Sequence, residues 1–285
     1  QREGEGAALD AAYPPLWHAH EGYQEALETP SMILNPLGWR NLEKTVTLLL
    51  HAGAYIFPTP EEGPGYDPES SAFFCACVAG SAQFVRLCLN EGKDADVNFL
   101  CYGESTLFRL LQNPQFLNSE EAPIIVDLLV NEFMADPDLA SGDKNQNMPA
   151  LSGLFCHIAN MYSAPNRRNT STRQAYKGSS QLLENALAAV SSLLNGGRAD
   201  PNRADDLGMT PLHHFAVAVG SVENYYRAKE TEDGVLLGKR TPEECVEHMR
   251  TFCSMCALLI RADAGLLCKS GDGRTPLEAY EFCVK

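Results

Sequence analysis

The chain has 285 residues, 45% hydrophobic and 21% charged, with a formal net charge of −15. This is an ordinary globular composition, long enough to bury a sizeable core as one or two domains or as one repeat array. No run of about 18 apolar residues occurs, which excludes a membrane-spanning helix on sequence grounds. The acidity lies in one half: residues 1–140 hold 6 Lys and Arg against 21 Asp and Glu, and residues 141–285 hold 16 of each. That balance argues against nucleic acid as a partner of the N-terminal half and for a basic polypeptide. The start, Gln1-Arg2-Glu3-Gly4, has no initiator Met and no signal pattern, so the sequence reads as a piece of a longer protein. Ten cysteines sit mostly inside apolar phrases such as Phe73-Phe74-Cys75-Ala76-Cys77-Val78. They read as small buried hydrophobes in a reducing compartment, cytoplasm or nucleus, with no disulfide framework.

In chain order, residues 1–12 are a loose lead-in and 13–285 form one domain. Pro14-Pro15-Leu16-Trp17 opens a short helix, and 28–40, with Pro30, Pro36 and Gly38, is expected as an inserted loop. Leu42 to Leu50 has helical periodicity and exits through Leu49-Leu50-His51-Ala52-Gly53-Ala54. Residues 57–66 are a Pro/Gly-rich loop. Helices are expected over Ala72–Val78 and Ala82–Asn90, closing at Asp96-Val97-Asn98. A further pair begins at Gly103-Glu104-Ser105-Thr106-Leu107-Phe108, continues over Ala122–Phe133 and closes at Asp136-Pro137-Asp138. The next pair spans Leu151–Met161 and residues 181–195, closing at Asp200-Pro201-Asn202. The polar, basic stretch 163–180 is expected as an insertion between its helices.

Gly208-Met209-Thr210-Pro211-Leu212-His213 then starts a helix whose chemistry is local. The Thr210 hydroxyl caps it, Pro211 fits the first turn, and His213 reaches back to neighbouring backbone. A second insertion is expected over 222–240. Thr241-Pro242-Glu243-Glu244 launches a helix from Cys245 to Ile260, and Gly273-Arg274-Thr275-Pro276-Leu277 repeats the earlier start. Thr210 and Thr275 are 65 apart, close to two periods of about 33.

The Thr-Pro-Leu-His start and exits such as Leu193-Leu194-Asn195-Gly196-Gly197-Arg198-Ala199-Asp200-Pro201-Asn202 resemble the ankyrin-repeat family. The resemblance implies an all-α ankyrin-repeat solenoid of stacked helix–turn–helix units with finger loops. The repeats fall at 13–56, 66–98, 102–138, 143–202 and 205–265, with a partial one at 270–285. It gives Thr210, Pro211, Leu212, His213, Thr275, Pro276 and Leu277 a structural role. It places Tyr66, Asp67, Glu69, Tyr102 and Glu104 at finger tips in the acidic half, where aromatic and carboxylate together suit a Lys- or Arg-rich ligand. Phe108 and Trp17 complete the candidate partner-binding set, with packing in the first repeat as the other reading of Trp17.

The family implies a monomeric, non-enzymatic protein-binding module without cofactor, metal or membrane. Its partner would be a protein or peptide carrying a basic segment. The alternative is an adaptor or substrate-recognition domain of a larger protein whose catalytic part lies outside this sequence. The lone Cys253-Ser254-Met255-Cys256 pair lacks the second pair a zinc site wants and is expected in the core. Asp205, Asp206 and Asp272 are expected to shape turns through side-chain bonds to backbone, with partner binding as their second reading. No phosphate-binding glycine motif occurs, and the histidines match no catalytic signature.

Overall fold

The computed structural model describes residues 36–54, 56, 72–78, 80–92, 95–101, 103–139, 147–163, 180–227 and 242–284. These residues are mostly helical. The strands among them are the two-residue stretches Leu100–Cys101 and Glu104–Ser105. The chain divides into two compact units, 1–102 and 103–285.

In the first unit, α1 (Pro36–His51) and α2 (Ala72–Val78) both pack on α3 (Ala82–Glu91). Ser81 caps α3 by accepting the Phe84 amide at 3.2 Å. Val46, Leu50, Phe73, Val85 and Cys88 are buried between these helices. The inserted loop expected over 28–40 is corrected in part, because α1 already begins at Pro36. A proline at a helix start loses no hydrogen bond, so Pro36 begins the helix where a breaker was expected.

The second unit is two layers of helices. One layer is α4 (Thr106–Leu111), α7 (Ala150–Ser163), α9 (Pro211–Arg227) and α11 (Pro276–Val284), each packed on the next. The other is α5 (Pro114–Asn118) with α6 (Ala122–Asp127), then α8 (Ser180–Leu194), then α10 (Pro242–Arg261). Phe215 of α9 ties the layers together. It meets Phe155 of α7 edge-on at 5.2 Å and Phe252 of α10 at 6.0 Å.

Two elements were not expected from sequence. The five-residue α5 fills the link between α4 and α6, capped by Asn113, whose side chain accepts the Gln115 and Phe116 amides. Asn185 of α8 is buried and donates to the carbonyls of Leu117 and Ser119 at the end of α5. The other is a π-helical stretch, Leu128–Glu132, that continues α6. The insertion expected from 222 begins later, since α9 runs to Arg227. Val222 is fully buried and Tyr225 meets Tyr162 edge-on at 5.5 Å, so apolar contact with α7 prolongs the helix. The expected insertion 163–180 lies almost wholly outside the described residues.

Packing between α4 and α7 is tight at one point. A Cβ built on Gly153 of α7 would lie 2.5 Å from Phe108 Cε2. Alanine is favoured over glycine inside a helix by about 1 kcal/mol, so propensity alone predicts that Gly153→Ala stabilises. Overpacking costs about 1–3 kcal/mol and should win. Gly153→Ala is expected to lower the denaturant midpoint, and Phe108→Leu in the same chain to recover part of that loss. An unchanged or raised midpoint in Gly153→Ala alone would contradict this packing.

Candidate interaction surface

The second unit's helix pairs share one exit. A residue with φ between 63° and 70° precedes a buried alanine: Met134 directly before Ala135, Gly197 two residues before Ala199, and Asp263 directly before Ala264. The alanine amide returns to a helix carbonyl, Ala135 to Leu129 at 2.8 Å, Ala199 to Leu193 at 2.8 Å and Ala264 to Leu259 at 3.0 Å. In the first unit the hydrogen bond recurs after Gly53 at φ 93°, the half-buried Ala54 donating to Leu49 at 3.0 Å. Met134 and Asp263 hold a conformation that favours glycine, so the exit is set by the surrounding packing as well as by residue type.

An aspartate turn follows each described D-x-[N/D] phrase. Asp96 accepts the Asn98 amide, Asp136 the Asp138 amide and Asp200 the Asn202 amide, all at 2.8–2.9 Å. In the second unit the last residue of the phrase reaches forward to the next pair. Asp138 Oδ2 accepts the Asp200 amide at 2.8 Å, and Asn202 Oδ1 accepts the Gly265 amide at 2.6 Å. Asn202 also donates to the Asp263 carbonyl at 3.0 Å. Burial pushes the Asp138 carboxyl above its ordinary range, against the opposing hydrogen bond from Asp200.

Helix starts in the layer of α4, α9 and α11 are capped by local chemistry. Ser105 accepts the Phe108 amide at 3.2 Å. His213 Nδ1 accepts the Thr210 amide at 3.1 Å and lies 2.8 Å from the Thr210 hydroxyl. Its Nε2 lies 2.9 Å from the Arg274 carbonyl in the next finger turn. In the last copy Glu278 does this work, accepting the Thr275 amide at 2.7 Å and its hydroxyl at 3.0 Å, a reciprocal capping box. Pro211, Leu212 and Pro276 are buried, whereas Leu277 is 65% exposed.

The finger turns carry buried charge. Asp205 Oδ2 meets His214 Nε2 at 2.9 Å, and its Oδ1 accepts the Leu207 and Met209 amides at 2.9 Å. Burial pushes this carboxyl upward, but the His214 and backbone bonds outweigh burial and hold it below the usual range. Asp206 is exposed and accepts from the Asn147 amide group at 2.9 and 3.0 Å. Asp272 accepts from the Ser270 hydroxyl at 2.5 Å and pairs with Arg274 at 3.3 Å. Successive fingers touch through backbone, the Gly271 amide donating to Leu207 O at 2.7 Å. A Cβ on Gly208 would lie 2.7 Å from the Gly271 nitrogen, so this approach needs a glycine.

The sequence-based candidates fare unevenly. Trp17, Tyr66, Asp67, Glu69 and Tyr102 lie outside the described residues. Phe108 is fully buried against α7 and is corrected to a core residue. The side chain of Glu104 is 12% exposed and pairs with Arg109 Nε at 2.9 Å, which holds it inside its own turn. Cys253 is exposed and Cys256 half-buried, which corrects the core placement expected for this pair. Burial, then the neighbouring Cys253, pushes the Cys256 thiol up. Among the described residues no group of three His, Cys, Asp or Glu could hold a metal ion. Also among them, no helix is long and apolar enough to cross a membrane. Asp138 and Asn202 were missed as linking residues; the equal placement of Asp136-Pro137-Asp138 and Asp200-Pro201-Asn202, 64 apart, was the signal. No family model matches the chain, and no curated protein matches its sequence.

Two groups give the fold an acid response with separable windows. Burial pulls the His157 imidazole down from 6.5 to about 4, and its Nε2 is buried without a hydrogen-bond partner among the described residues. Between those values the unfolded chain binds a proton that the folded chain refuses, so stability falls as pH falls through the window. Asp205 works lower: its stabilisation is complete above the unfolded value of about 3.9 and is lost as pH falls through its lower folded value. Going from about pH 7 to about pH 4.5 should lower the wild-type thermal midpoint, and His157→Gln should remove most of that drop. Asp205→Asn should cost about 1–3 kcal/mol at neutral pH, with a deficit that narrows only below about pH 4. A deficit that already shrinks near neutral pH would contradict the Asp205 assignment.

Proposed function

We propose that this chain is a non-enzymatic protein-interaction module, built as an ankyrin-type solenoid, that binds a basic segment of a partner protein in the cytoplasm or nucleus. The observation that carries this reading is the like-on-like stacking of α4, α7, α9 and α11 beside α5–α6, α8 and α10, with one hydrogen-bond pattern repeated at successive turns. Such an array offers a row of finger turns beside a continuous helix layer, a surface suited to an extended polypeptide. The charge balance of residues 1–140, 6 basic against 21 acidic, supports a basic ligand.

Each exposed ion pair contributes on the order of 0–1 kcal/mol, so steering by several acidic groups, more than any single pair, would set the encounter. The proposal is tested with a Lys- and Arg-rich synthetic peptide titrated against the 285-residue chain. Binding is expected to weaken several-fold between about 0.05 M and about 0.5 M salt, because exposed charges are screened over a shorter distance. Asp67→Lys with Glu69→Lys should weaken it further without moving the thermal midpoint. Glu104→Lys is a poor probe, since it breaks the Arg109 pair and costs stability. Salt-insensitive binding, or none, would overturn the basic-ligand reading.

A further inference from the structure

α10 carries a stripe of sulfur side chains. At about 3.6 residues per turn, successive side chains are about 100° apart around a helix. Cys245, Met249, Cys253 and Cys256 therefore fall within one arc of about 80°. From Cys245 to Ile260 the arc holds these residues and Ile260, so no nitrogen or oxygen side chain shares it. Phe252, Met255 and Leu259 lie beside the arc and are buried. The stripe begins at their edge, where Cys245 and Cys256 are half-buried, and continues outward to Met249 and Cys253, which are exposed.

The spacing of Cys253 and Cys256 decides what the pair can do. Residues three apart on a helix hold their Cβ atoms about 5–6 Å apart, whereas a disulfide wants about 3.5–4.5 Å. Closing this pair into a disulfide would distort α10. A cation between two thiolates needs no such closure. At about 2.3 Å per metal–thiolate bond, a straight sulfur–metal–sulfur unit spans about 4.6 Å. Helical side chains lean towards the N-terminus, so the Cys256 thiol leans towards Cys253, and the Cys253 thiol towards Met249. The Met249 thioether, on three rotatable bonds, can swing over the pair. Burial, then the neighbouring Cys253, pushes the Cys256 thiol up, so two adjacent thiolates are disfavoured until a cation sits between them.

Ligand type and number select the ion. Zinc wants four ligands, and among the described residues no group of three His, Cys, Asp or Glu could hold a metal. Thiolate with thioether favours Cu(I), a soft ion satisfied by two or three sulfurs. We infer that Cys253 and Cys256 bind one Cu(I) as thiolates on the face of α10, with the Met249 thioether as third ligand. Both thiols release their protons to solvent as the ion binds, and the ion keeps its oxidation state. Cys245 stands about 12 Å before Cys253 along the helix axis, too far to join the set. This departs from the metal-free module expected from the sequence and does not depend on which ligand the finger turns bind.

The test titrates the reduced 285-residue chain with Cu(I), without oxygen, against the chromophoric chelator bathocuproine disulfonate. The first equivalent should be retained, and its copper K-edge absorption should show sulfur neighbours without nitrogen or oxygen. Cys253→Ser and Cys256→Ser should each weaken binding by at least about a hundredfold, since even residues behind a metal ligand are worth about 10–100-fold. Met249→Leu should weaken it several-fold at unchanged stoichiometry. Cys245→Ser, on the same stripe, should leave it unchanged. Far-ultraviolet circular dichroism should stay the same in all four variants, because none of these side chains is fully buried. No copper retained by the unaltered chain, nitrogen or oxygen around the ion, or Cys253→Ser and Cys256→Ser chains that bind as Cys245→Ser does would overturn the inference. A Met249→Leu chain of unchanged affinity would overturn the thioether's part in it.

Discussion

Asp138 and Asn202 each stand at the end of an aspartate turn and hold the backbone of the next helix pair through short side-chain bonds, one from Asp138 and two from Asn202. The rest of the second unit depends on this link. A short amphipathic helix pair cannot bury its apolar face alone and gains stability only by stacking on a neighbour. The turn bonds fix the position from which one pair meets the next, and the helix faces then close over Phe155, Phe215 and Phe252. Each bond contributes only about 1 kcal/mol net, yet an unsatisfied buried partner costs more, so the pattern sets register more than it adds stability.

The same economy runs through the finger turns. His213 binds its own cap residue with one nitrogen and faces the next turn's carbonyl with the other, so one side chain both starts a helix and joins two turns. Glu278, in the last described pair, keeps only the local half of that role. His214 and Asp205 anchor the turn from inside the layer, and Arg109 with Glu104 does so two helices earlier. These pairs rigidify the turns.

The helix starts and the aspartate turns after the exits were legible in the sequence because their chemistry is local. Thr210-Pro211 and Thr275-Pro276 specify a cap and a first turn wherever they occur, and Asp200-Pro201-Asn202 specifies its own turn. What depends on distant neighbours was not legible. Phe108 sits where His213 sits in a later pair, and only the close approach of Gly153 shows it to be buried. Cys253 and Cys256 belong to an apolar phrase indistinguishable from that of α8. Their exposure follows from their place in the layer, which no local pattern encodes. The length of α9 past residue 222 is decided by Tyr162 on another helix, and α5 by a link whose apolar residues, Phe116 and Leu117, were too few to show a period.

The central claim is that neighbouring helix pairs support one another through the turn links, and native-state hydrogen exchange of Asn202→Ala tests it most directly. Removing that side chain frees the Gly265 amide and the Asp263 carbonyl. The account predicts faster exchange concentrated in α10 and α11, a smaller change in α8, and unchanged protection in α4 and α6. Uniform loss across 103–284, or no loss beyond the Gly265 amide itself, would contradict it.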